Sequence, residues 1–325
     1  MRPRWNLSPT LIAQTAADLR RSLPGGVHWA PEITSDYSAE CIAALLQEPG
    51  GCDSFACRNV SVARALVEPL KSLTQQSRRL TEAPNSQLII RYPLVHPNDT
   101  ALLEDITSAF AVVIVVDHFR HAELASEAAV RSGQTIPLLI DVDLGYQRTG
   151  VRPGPDSVLL AQAITRLPGL SLGGVFLRTS VLPESPSLAS DLRNSMTVGR
   201  HCLKFIQSAG MACDQLVMEE TRGLPIDDDV SIVLNSPLPV SPGSIQEPMR
   251  SEFAEHTARV IARPSLEWCV IDAGTNDLRT IEVPNVLQPG GATVRTMDRE
   301  QTTLSLADES LDLRIGDSVS LSCSR

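Results

Sequence analysis

Apolar and polar positions along the first two-thirds of the chain switch between two periods. Apolar residues spaced three to four apart predict helices over Pro9–Ser22, Ala39–Gln47, Ser61–Leu73, Asp99–Ala109, Phe119–Ser132 and Pro155–Arg166. Between them lie short apolar runs at Leu88–Tyr92, Val112–Val116, Leu138–Val142, Leu172–Leu177 and Leu216–Met218. Runs that are apolar on both faces suit strands of a buried parallel sheet. Strand, helix and strand at this spacing give βαβ units. Seven or eight such units favour closure into a parallel (β/α)8 TIM-like barrel over an open doubly wound sheet. No G-x-G-x-x-G follows the first strand, which further weakens a dinucleotide-binding fold. The texture changes near Ser231. Short β-rich pieces at Trp268–Ile271, Thr293–Thr296, Thr302–Leu306 and Ser318–Leu321 are divided by Pro, Gly and Asp. The expected organisation is an α/β barrel over 1–230 followed by a smaller C-terminal β domain over 231–325.

The length of 325 residues accommodates both parts. A net charge of −10 argues against nucleic acid or an anionic membrane as partner, since both favour basic patches. No apolar run approaches the roughly 20 residues that span a bilayer. The N-terminus MRPRWNLSPT lacks the apolar core of a signal peptide, so a cytoplasmic protein is expected. Cys41, Cys52, Cys57, Cys202, Cys213, Cys269 and Cys323 are odd in number and scattered, with no C-x-x-C pair, which indicates neither a disulfide framework nor a zinc ribbon. Lysine is the scarce residue: Lys71 and Lys204 stand against 26 arginines.

The segment Leu138–Gly154, LLIDVDLGYQRTGVRPG, is a buried strand followed by an Arg, a Thr-Gly pair and a Pro-Gly turn. Arg148 thus falls just past the carboxyl end of a barrel strand, where β/α enzymes place their chemistry. Further on, in order, come PGSI at Pro242–Ile245, VIDAGTNDL at Val270–Leu278 and IGDSVSL at Ile315–Leu321. Together these phrases resemble the D-threonine aldolase and D-serine dehydratase family, whose fold type III barrel is shared with alanine racemase and uses pyridoxal phosphate (PLP). The resemblance implies a lysine that forms the Schiff base, an Arg at position 148 against the cofactor ring, and a divalent metal held by a His and a Cys. It also implies activity on D-3-hydroxy amino acids and a homodimer.

Against that pattern the chain departs at three places. The phrase that carries the lysine in relatives is here Ala30–Ser38, APEITSDYS, which puts Thr34 at the lysine position, Glu32 at the preceding His and Asp36 at the later one. Threonine forms no aldimine. Lys71 and Lys204 both fall on helical stretches and read as surface residues. The glycine-rich phosphate loop is replaced by Met218-Glu219-Glu220-Thr221-Arg222-Gly223, whose carboxylates repel a phosphate; Arg222 offsets them in part. The neighbouring Asp227-Asp228-Asp229 reads as an exposed acidic loop. At the metal site the chain reads SLSCSR, with Cys323 as a remnant lacking its His, and the upstream E-H-G phrase appears as Glu300-Gln301-Thr302.

The remaining histidines supply no replacement. His118 and His121 form H-x-x-H at a strand end, read as a structural turn rather than a metal pair. His28 and Trp29 flank the vacant lysine region, and His96, His201 and His256 are isolated. Three readings follow. The first is a family member that has lost PLP-dependent catalysis while keeping its scaffold, with no resident cofactor and a small molecule or a partner as ligand. The second is an active PLP-dependent lyase using a non-standard lysine. The third is lysine-free acid–base chemistry by Glu32, Asp36 and Tyr37.

Overall fold

A computed structural model describes residues 8–34, 37–46, 51–52, 54–74, 87–179, 188–219, 226–227, 229–234, 255–278 and 282–322. They fall in two compact units, Met1–Leu144 with Val151–Pro239, and Gly145–Gly150 with Val240–Arg325.

The first unit contains β1 (His28–Trp29), β2 (Phe55–Cys57), β3 (Leu88–Ile90), β4 (Val112–Val116), β5 (Ile136–Val142), β6 (Leu170–Leu177), β7 (Gln215–Met218) and β8 (Ile232–Val233). Every neighbouring pair is parallel, in the order β1-β8-β7-β6-β5-β4-β3-β2. The two ends of that order meet just past β1, where Ile33 N donates to Ala56 O at 2.8 Å and Ala56 N donates to Pro31 O at 2.9 Å. Those bonds close the barrel. Its last strand lies beyond the change of texture at Ser231, and the second unit takes in residues 145–150 from the loop after β5.

The helices are α1 (Pro9–Ser22), α2 (Ala39–Leu45), α3 (Val60–Thr74), α4 (Pro97–Thr107), α5 (Phe119–Ser132), α6 (Pro155–Arg166) and α7 (Leu188–Ser208). Local chemistry fixes their ends. Ser8 and Ser38 accept the orphan N–H groups of Leu11 and Cys41. His96 and Asp99 cap α4 reciprocally, and Gly133, at φ 65°, ends α5 in the left-handed conformation. His118 belongs to this class as well: its Nδ1 accepts Arg120 N at 3.1 Å at the start of α5. The H-x-x-H pair is therefore a helix cap followed by a fully buried His121.

Two apolar layers share each strand. Ile89, Val113, Val115, Leu139, Phe176 and Val217 form one buried cluster with Ala30, Ala56, Ile232 and Leu234, inside the barrel. Their sequence neighbours Ile90, Ile114, Leu138, Ile140, Val175, Leu177, Leu216 and Met218 join the cluster that contains the buried faces of the helices. This is strict two-residue alternation within strands whose composition is uniformly apolar. At Gly174 the spacing between β6 and β7 leaves no room for a side chain: a Cβ there would stand 2.1 Å from Gln215 O.

The second unit contains β9 (Glu255–Ala262), β10 (Trp268–Ile271), α8 (Thr275–Leu278), β11 (Asn285–Gln288), β12 (Thr293–Met297), β13 (Thr302–Ser305) and β14 (Ser318–Ser322). Its antiparallel sheet runs β11-β14-β9-β10-β13-β12 over a core of Ala258, Val260, Cys269, Ile271, Leu304, Val319 and Leu321. No described helix of either unit is long and apolar enough to cross a membrane.

Candidate functional site

The alternation inside the barrel determines what stands at its mouth. Two residues beyond an inward apolar position comes the next inward position. Ala30 leads to Glu32, Ala56 to Arg58, Ile89 to Arg91, Val115 to Asp117, Leu139 to Asp141, Phe176 to Arg178 and Val217 to Glu219. Each lies at or just past the carboxyl end of its strand, the face where barrels of this class carry their chemistry. The backbone is held there by continued strand pairing: Arg91 N donates to Cys57 O at 3.0 Å, and Glu219 N donates to Leu177 O at 3.0 Å.

Five of these side chains form one continuous ion network. Arg91 donates from Nη2 to Glu32 Oε1 and from Nη1 to Glu219 Oε1. Arg178 Nη1 reaches the same Glu219 oxygen at 3.1 Å. From its other side Arg178 approaches Asp141 Oδ2 through Nη2 at 3.3 Å and Nε at 3.4 Å, and Nη2 also donates to Arg91 O at 2.9 Å. The ring of Tyr92 lies beneath three guanidinium groups, 4.6 Å from Arg178, 5.6 Å from Arg58 and 5.7 Å from Arg91. Cationic faces over an aromatic ring add to the electrostatic balance.

Burial orders the network. The Arg91, Arg178 and Asp141 side chains are 2%, 5% and 2% exposed, whereas Glu32 and Glu219 keep 21% and 16%. Solvent at the mouth thus meets two carboxylates, with the guanidinium groups beneath them. Burial alone would lower the Arg178 pKa, but Asp141 and Glu219 more than offset it and the net shift is upward. The neighbouring Cys57 thiol is pushed up, first by burial and then by Glu32, with Arg91 opposing. It is held as a neutral thiol, not as a nucleophile. Glu32 and Glu219 are both counter-ions of arginine here.

The family described as alanine racemase, N-terminal domain, matches residues 33–227. That span is more than half of the chain and covers the barrel from the turn after β1 to the loop after β7. The chain belongs to the alanine racemase N-terminal domain family. It is 25% identical over 203 residues to a D-threonine aldolase from Arthrobacter sp, a match that covers 62% of this chain and 47% of that protein, or about half of its length. Among solved structures it is similar to the D-threonine aldolase of Filomicrobium marinum, with a TM-score of 0.59 at 18% identity, covering 96% of this chain and 83% of that one. It is also similar to D-threo-3-hydroxyaspartate dehydratase from Delftia sp. HT23 (TM-score 0.56, 14% identity, 96% and 87% covered). Alanine racemase of Clostridium difficile 630 in complex with cycloserine matches in the same way (TM-score 0.57, 16% identity, 96% and 84% covered). At these identities the structural likeness establishes the fold, an alanine racemase-type barrel with a C-terminal β domain.

Within this alanine racemase-type barrel the sequence-derived positions separate. Thr34 is exposed just past the closure of β1 onto β2, and Glu32 is paired with Arg91. Tyr37 is buried, and Asp36 lies outside the described residues. His28 is exposed and Trp29 buried. Lys71 stands half-exposed on α3, 3.4 Å from Glu68, and Lys204 stands exposed on α7. Arg148, in the second unit, pairs with Asp298 at 2.9 Å. Cys323, Pro242–Ile245 and Glu220–Gly223 lie outside the described residues. Among the described residues no group of three or more His, Cys, Asp or Glu is arranged to hold a metal ion.

Asp227 and Asp229 are exposed, as expected of an acidic loop, and both are bound by an arginine. Arg200 on α7 binds Asp227 and, at 2.7 Å through Nη2, Asp229. The Arg200 hydrogen bond holds the Asp229 carboxyl below the usual carboxylate range. A carboxyl depressed in the folded state stabilises the fold above its unfolded pKa and loses that contribution as pH falls through the folded value. Wild type is therefore expected to exceed Asp229→Asn in stability at neutral pH, the gap closing below about pH 4. Parallel urea titrations at pH 7 and pH 3 read that gap. It should be small, because the Asp229 side chain is 52% exposed.

Proposed function

We propose that this alanine racemase-type barrel has lost the PLP-dependent lyase chemistry that its likeness to D-threonine aldolase implies. The observation that carries the reading is the ion network at the strand ends. PLP needs a lysine amine within the mouth and unhindered backbone N–H groups for its phosphate. The mouth residues do not fit that group: Arg91 and Arg178 are engaged by Glu32, Glu219 and Asp141, and the exposed rim of the network is carboxylate. Glu219, the first residue after β7, puts a negative charge where the resemblance expects the phosphate loop to begin. Both lysines of the chain lie on helices, Lys204 exposed and Lys71 half-exposed beside Glu68.

No observation favours the alternative of an active lyase with a non-standard lysine. A protein of this kind acts by binding, either of a small molecule at the barrel mouth or of a partner at its surface, since fold and chemistry are separable. The reading is tested with purified protein, excess PLP, and manganese or zinc, assayed on D-threonine and D-serine. Aldehyde or keto-acid formation is expected to stay at the rate of a protein-free control containing PLP and metal. Turnover proportional to protein and abolished by Lys71→Ala or Lys204→Ala contradicts it.

A further inference from the structure

We propose that Arg91 and Arg178 form a carboxylate-binding site which the chain's own Glu219 occupies as an internal plug. A single oxygen, Glu219 Oε1, receives Nη1 of both arginines. Neither guanidinium depends on Glu219 for its place. Arg91 is held by Glu32; Arg178 is held by Asp141, by the carbonyl of Arg91 and by the Tyr92 ring 4.6 Å away. Both are more than nine-tenths buried, whereas Glu219 sits at the partly exposed edge of the network. Withdrawal of Glu219 leaves two preoriented N–H donors facing a space that had held one carboxylate.

The chemistry of that space defines its ligand. Charge-assisted bonds from two guanidinium groups favour a planar carboxylate, and the loss of one acceptor from two buried guanidinium groups is costly, which favours refilling. Glu32 and Asp141 flank the arginines, so with Glu219 gone the four charges left within the ion network cancel, Arg58 lying outside it over the Tyr92 ring. One negative charge restores the native balance and a second is repelled. The site accordingly takes a small monocarboxylate and discriminates against a phosphate dianion.

Thermal unfolding of full-length Glu219→Ala in rising formate, acetate, phosphate or chloride at constant ionic strength tests this. Without additive the variant is expected to melt below wild type. Formate should raise its Tm saturably by a few degrees, as linkage requires for a ligand bound to the folded state. Phosphate and chloride should not, and wild type should not respond to formate. If Glu219→Ala does not fold alone, Glu219→Gln carries the test, because formate displaces its neutral amide and gives a smaller saturable gain. An equal response of wild type and variant, equal potency of all four anions, or no response in either variant overturns the proposal. None of these measurements involves PLP, so failure here leaves the loss of lyase chemistry standing, and the converse also holds.

Discussion

Replacing Arg178 by Met is expected to cost about 3–5 kcal/mol of folding stability, read as a lower midpoint in urea unfolding. The side chain holds Asp141, which is 2% exposed, and it shares Glu219 with Arg91. Methionine fills much of the volume but removes the guanidinium that holds the buried Asp141 carboxylate. A double replacement, Arg178→Met with Asp141→Leu, removes both charges and should recover a large share of the stability lost by the single variant. That recovery separates loss of the ion pair from simple packing loss. A single-variant cost under about 1 kcal/mol would mean that the network is screened as an exposed pair is.

The second large effect is steric. Gly174→Ala places a methyl group 2.1 Å from Gln215 O and 2.7 Å from Gln215 C, both backbone atoms of the adjoining strand β7. A flexible side chain would yield, but paired backbone can do so only by parting β6 from β7 ahead of Arg178 and Glu219. Overpacking of this kind typically costs 1–3 kcal/mol, and a backbone clash belongs at or above the top of that range, at about 3 kcal/mol or more. Gly173 is the internal control. A Cβ there meets nothing nearer than Leu138 O at 3.4 Å, so Gly173→Ala should change stability by less than about 1 kcal/mol. Equal urea midpoints for the two variants would contradict the tight register of β6 on β7.

Much of the barrel was legible in the sequence because its longer elements carry their own pattern. Helices α1, α5 and α6 and strands β4 and β10 fall on the predicted residues, and the shared barrel and β-domain fold follows from the alternation and the ordered motifs. Strands β1, β2 and β8 escape detection: β1 and β8 have two residues each, and β2, unlike β3 within Leu88–Tyr92, is bounded at once by Ser54 and Arg58. Strand β9 was missed for another reason: its fully buried positions include the small residues Ala258 and Ala262, beside the polar Glu255, His256, Thr257 and Arg259.

The site divided in the same way. Thr34 and Glu219 stood out because they replace residues of a recognisable motif. Arg91, Arg178 and Asp141 did not, although each ends or follows an apolar run. In a strand apolar on both faces, sequence alone does not reveal which alternate residues point inward. The clustering of Ile89, Leu139 and Phe176 inside the barrel sets that phase and carries it forward to the charged positions. The Arg200 clamp on Asp227 and Asp229 was likewise out of reach, because its partners lie 27 and 29 residues away along the chain.

Borohydride reduction of the full-length protein after incubation with PLP, followed by intact and peptide mass analysis, tests the lost chemistry most directly. The expected result is no stoichiometric pyridoxyl adduct. A stoichiometric adduct on Lys71 or Lys204 would contradict it and return the protein to the PLP-dependent lyases.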